Sequence, residues 1–76
     1  MPARDPVVHV PPGVVRPQLV LGLADDVGVI LSSASLALRL AGNPHGIVAA
    51  YRREAGSEDR DHVLRVTRAF CETEVQ

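Results

Sequence analysis

The apolar positions of this chain change their rhythm twice. Up to residue 17, Val7, Val8, Val10, Val14 and Val15 stand among prolines. From Gln18 to Tyr51 the charged residues are Asp25, Asp26 and Arg39, whereas Arg52 to Gln76 carries eleven charges of both signs. The middle therefore reads as interior and the end as solvated surface. Within the middle, Val27, Ile30, Leu31, Ala34, Leu38 and Ala41 recur at three and four residues, the spacing that stacks side chains on one face of a helix. Val29, Leu36 and Leu40 make a second stripe, so this helix is expected to need cover on more than one side.

Punctuation residues set the ends of the elements. Asp25 or Asp26 is placed to cap the first helix, which leaves Gln18 to Leu23 as a separate piece. Gly42-Asn43-Pro44 stops that helix, because Gly suits the left-handed residue beyond a C-terminus and Pro cannot continue the hydrogen-bond ladder. The same tripeptide predicts the next helix, with Asn43 as cap, Pro44 in the first position, Ile47, Val48 and Tyr51 inward, and Gly56 at the end. A third helix follows, with Ser57 as cap and Glu58, Asp59 and Asp61 complementing its positive end. Its apolar stripe is Val63, Val66, Thr67 and Phe70, and Asp61 and Arg65 stand at the favourable four-residue spacing. Glu72 and Glu74 oppose the dipole at the far end, so the last residues are expected to fray.

The first segment follows a different rule. Five of the six prolines (Pro2, Pro6, Pro11, Pro12 and Pro17) fall within it, and each fixes its own φ while pushing its predecessor to extended geometry. The reading is an all-α fold: an extended arm over residues 1–17, then one helical domain over 18–76 built from a helical hairpin and a third helix. The rival is a small α+β domain with strands within 7–40, because Leu19, Leu21 and Leu23, then Leu36, Leu38 and Leu40, alternate as in strands. Helix is preferred between Leu31 and Ala41, where Ala, Leu and Arg dominate and β-branched residues are few.

Composition sharpens the picture. A chain of 76 residues has room for one domain and buries only about 60% of its unfolded surface when folded alone. Cys71 has no second cysteine to pair with, and Tyr51 and Phe70 are the only aromatics. Val, Leu and Ala must do most of the burying, which favours association as the source of extra stability. The net charge of -1 supplies no field for a phosphate backbone, which argues against a nucleic-acid partner. All eight basic residues are Arg, the bias expected of a GC-rich bacterial or phage genome. No basic start precedes a long apolar run, so a signal peptide is not expected, and the lone cysteine fits a cytoplasmic or virion-associated setting. Gly42-Asn43-Pro44 divides the apolar stretch into pieces shorter than the roughly 20 residues a membrane span requires.

The residues that could carry chemistry do not converge. His9, His45, His62, Cys71, Asp25 and Asp26 show no ligand spacing such as C-x-x-C or H-x-x-x-H, so neither metal nor cofactor is expected. Ser32, Ser33 and Ser35 lack a nucleophile-elbow context, and the adjacent Asp25 and Asp26 would point about 100° apart on a helix. The chain is thus read as non-enzymatic. A helix-turn-helix around residues 42–44 would present Arg52 and Arg53 to DNA, yet His45, Gly46, Ile47 and Val48 offer few donors for base edges. What remains is packing. The expected role is an accessory or structural subunit of an oligomeric assembly, such as a phage virion component or a small subunit of a bacterial complex. It would bind copies of itself or a larger protein through Val7, Val8, Val10, Val14, Val15, Val29, Leu36 and Leu40. A small dimeric DNA-binding regulator is the alternative.

Overall fold

Asp26 starts the first helix. In the computed structural model, which describes residues 8–56 and 59–76, its carboxylate accepts the Val29 amide at 2.9 Å, and helix α1 runs Val27–Leu40. Neighbouring Asp25 serves the preceding turn, where its carboxylate accepts the Gly22 amide at 2.8 Å. The three- and four-residue spacing emerges as burial: Ile30, Ala34 and Leu38 are fully enclosed, while Val27 and Leu31 pack partly against the same core.

Helix α1 ends in a Schellman turn. The Gly42 amide donates to Arg39 O at 3.0 Å and the Asn43 amide to Leu38 O at 3.2 Å, the paired bonds that close a helix through a left-handed residue. That residue is Gly42, at φ +93°. Helix α2 (His45–Ala55) then starts at Pro44, which is extended and gives no side-chain cap. The expected capping role of Asn43 is not realised, because its amide group is engaged elsewhere. It donates to Val15 O at 2.8 Å and Leu38 O at 2.9 Å, and it accepts the Val15 amide at 2.9 Å. One buried side chain thus imitates a strand neighbour for Val15 and closes an α1 carbonyl as well.

Helix α3 (Arg60–Phe70) is capped by Asp59, whose carboxylate accepts the Asp61 amide at 3.0 Å. Ser57 and Glu58, to which the cap and part of the dipole complement were assigned, lie outside the described residues. Val63, Val66, Thr67 and Phe70 are buried as their spacing requires, and Leu64 joins them. Arg60 reaches back to the loop before α1, donating to Leu23 O and Asp25 O at 2.9 Å each.

The chain departs from an all-helical fold at two places. Gln18–Leu21 forms strand β1 and Glu72–Val75 forms strand β2, paired in parallel with Gln18 opposite Glu72 and Leu21 opposite Val75. The expected fraying at Glu72 and Glu74 is therefore overturned. These two point to solvent while Thr73 and Val75 are half-buried, a period-2 pattern whose ladder partner lies at the other end of the domain. The fold is mostly helical with this two-stranded sheet added. Leu19 and Leu21 alternate as strand residues, whereas Leu36, Leu38 and Leu40 belong to α1.

The core lies where the three helices meet the sheet. Leu19 and Leu21 from β1, Val48, Tyr51 and Ala55 from α2, and Cys71 after α3 complete it. Tyr51 and Phe70 meet edge to face at 5.4 Å between ring centres, the favoured arrangement of two aromatic quadrupoles. The Tyr51 hydroxyl lies 2.7 Å from Thr67 Oγ1, which donates its own proton to Val63 O at 2.7 Å. The phenol is therefore the donor to Thr67.

Candidate interaction surface

Because Ile30, Ala34 and Leu38 turn inward, the second stripe of α1 faces away from the domain. At 100° per residue, Val29, Ser33, Leu36 and Leu40 fall within about 60° of one another on the opposite side of the helix. Val29 is 45% exposed, Leu36 54% and Leu40 79%. No charged residue lies within this strip, and Arg39 flanks it. A helix of 14 residues with apolar side chains on both faces has one face served by its own domain and one left to solvent.

The arm divides its valines between two tasks. Val8 and Val14 are partly buried and pack against the domain's own core, whereas Val10 and Val15 are exposed. Val7 lies outside the described residues. Asn43 fixes Val15 through its backbone, and Arg16 extends the tether by pairing with Glu72 at 2.9 Å and donating to Arg68 O at 2.7 Å. The arm is thus laid on its own domain at Val8 and again from Val14 onward, with Val10 and Val15 turned outward.

Two exposed apolar residues escaped the sequence reading. Val20 faces outward from β1 and Leu23 from the loop that follows. Alternation in Gln18–Leu21 was the available signal, since a strand that buries Leu19 and Leu21 must expose Val20.

The residues considered for chemistry are dispersed. Among the described residues no three His, Cys, Asp or Glu side chains are grouped to hold a metal ion. Asp25 and Asp26 cap turns, the His62 ring meets Glu54 O at 2.9 Å, and Ser35 accepts from Arg52 at 3.1 Å. Cys71 is buried, and that burial pushes its thiol up to about 11, far from the thiolate form a nucleophile needs. Arg53, offered by the helix-turn-helix reading, is exposed and lies beside His9, Val10 and Pro11 of the arm. No helix among the described residues is long and apolar enough to cross a membrane. No family model, curated protein or solved structure matches the chain.

Proposed function

We propose that this chain is a non-catalytic structural or accessory subunit that acts by packing, and that its first partner is a second copy of itself joined through α1. The observation that carries this reading is the uncharged outward strip of Val29, Leu36 and Leu40. A two-fold axis sets the same strip on both subunits, so an apolar surface without charges is its own complement. Ser33 lies within the strip and Ser32 at its edge, and their small side chains let two helices approach closely. Covering a Leu or Val side chain contributes about 1.5–3 kcal/mol, which adds to a core that holds only two aromatic rings. The exposed Val10 and Val15 of the arm supply further apolar contact to the same copy or to a larger protein. Such a part suits a phage virion or a small subunit of a bacterial complex.

Light scattering on the size-separated chain tests the reading, paired with thermal melts over about a hundredfold dilution, since association stabilises the folded state by mass action. The expected result is a dimer mass and a melting point that falls on dilution. Leu36→Glu with Leu40→Glu should give monomers that keep the helical circular dichroism. A monomer mass for the unaltered chain, with a melting point independent of concentration, would refute the proposal.

A further inference from the structure

Helices α1 and α2 diverge around a cleft of about 620 Å³ lined by Ser35, Arg39, Asn43, His45, Val48 and Arg52. Its volume lies in the range of small-molecule sites, roughly 300–1,000 Å³. Its chemistry is one-sided. Two guanidinium groups, one from each helix, line the wall beside an imidazole, and no carboxylate does. Among the described residues neither Arg39 nor Arg52 meets an acid at ion-pair distance. Exposed Arg16, by contrast, pairs with Glu72 at 2.9 Å.

The remaining wall is fixed before any ligand arrives. Asn43 spends its whole amide group on Val15 and Leu38, so it shapes the cleft without competing for a guest. Ser35 is buried, and its hydroxyl accepts one N–H of Arg52 at 3.1 Å, which positions that guanidinium and leaves its other donors unspent. Val48 gives the cleft an apolar patch. Two planar donor forks with an apolar neighbour match a phosphate on a short organic body, because each fork can hold two oxygens at once.

We infer that the cleft between α1 and α2 binds a small phosphorylated molecule, a phosphomonoester whose phosphate is held by Arg39 and Arg52 and whose organic part rests toward Val48. A small ligand suits the cleft better than a polymer. The site is concave and local, whereas a duplex needs an extended basic surface, and the net charge of the chain is -1. This inference is independent of the self-association reading.

Amide chemical shifts of the isotopically labelled chain test it, with ribose 5-phosphate, inorganic phosphate and a short DNA duplex as separate probes and sodium chloride of matched ionic strength as control. Ribose 5-phosphate should shift Ser35, Arg39, His45 and Arg52 saturably, and inorganic phosphate should shift the same amides more weakly. Arg39→Gln and Arg52→Gln should each weaken the ribose 5-phosphate affinity roughly tenfold, while Arg68→Gln, outside the cleft, leaves it unchanged. Among the described residues the Arg39 side chain makes no hydrogen bond or ion pair, so Arg39→Gln decides the matter even if Arg52→Gln perturbs Ser35. Absence of saturable shifts, shifts that sodium chloride reproduces, or an affinity that survives both substitutions overturns the inference. So does DNA binding that is tighter than ribose 5-phosphate binding and collapses with salt, which would make the cleft part of a polyanion surface.

Discussion

Asn43 ties three parts of the chain together through one side chain. Its buried amide joins the arm, the end of α1 and the turn into α2 through bonds to Val15 and Leu38. Removing it leaves the Val15 N–H and C=O without their partner, while Leu38 O keeps the Asn43 backbone amide, and a buried polar group so stranded costs about 1–3 kcal/mol. Asn43→Ala should lower the unfolding free energy by about 2 kcal/mol in urea titrations, and Asn43→Asp should not restore it, because a carboxylate cannot donate to Val15 O or Leu38 O. Full stability in the Asp variant would mean that the donors are dispensable. In sequence Asn43 reads as a helix cap, since its side chain is suited to a local role and its distant partner is invisible there. Buried titratable groups set a second residue-scale expectation. Burial pushes the Tyr51 phenol from 10.0 up to about 12 and the Cys71 thiol from 9.0 up to about 11. Both groups are neutral when protonated, and the fold favours that form. Their contribution to stability is therefore whole below pH 9 and is lost as pH rises through 9 to 12. Urea midpoints should be flat with respect to these two groups up to that window and fall within it, and Tyr51→Phe should remove the upper part of the decline.

Among the elements, α1 was legible, with its cap narrowed to Asp25 or Asp26; of the sheet, β1 was legible through the alternation behind the α+β rival, and β2 was not. The limits of α1 are written locally: Asp26 before it, Gly42 after it, and two apolar stripes between. The stripe named from spacing alone, Val29, Leu36 and Leu40, is the one the fold leaves uncovered. β2 has no such local signature. Glu72 and Glu74 look like charges opposing a helix dipole until β1 is known to lie alongside, and nothing near them names that partner. The two faces of β2 should respond differently to substitution. Val75→Asp places a carboxylate where the side chain packs against the core and should cost about 1–3 kcal/mol. Glu74→Gln, on the solvent face, should stay within about 0.5 kcal/mol of the parent chain. Equal melting points for both variants would show that β2 contributes no packing.

At the scale of the whole molecule, the apolar, proline-rich character of the arm was legible, but the division of labour among the valines of residues 8–17 was not. Proline spacing fixes the backbone habit, whereas which valine turns inward depends on the tether at Asn43 and on the surface beneath. Deleting residues 1–12 removes Val8 and Val10 while retaining Val14 and the Asn43 clamp. Helical circular dichroism should survive with a modest loss of stability, and self-association measured by light scattering should weaken; undiminished association would confine the interface to α1. The parallel sheet has a further consequence, for how the chain reaches this structure. Arg16 and Glu72, whose ion pair adjoins the start of the ladder, are 56 residues apart, and all three helices lie between the strands. Hairpins and helices close loops of a few residues, whereas this contact must wait for nearly the whole domain to be ordered, and contacts at such separation slow the search for the native state. The helices can gather around Tyr51 and Phe70 first, leaving Leu19 and Leu21 wet until β2 arrives. During that interval β1 is an unpaired edge with Val20 and Leu23 beside it, so the last step of folding is also the one in which strands of different molecules compete.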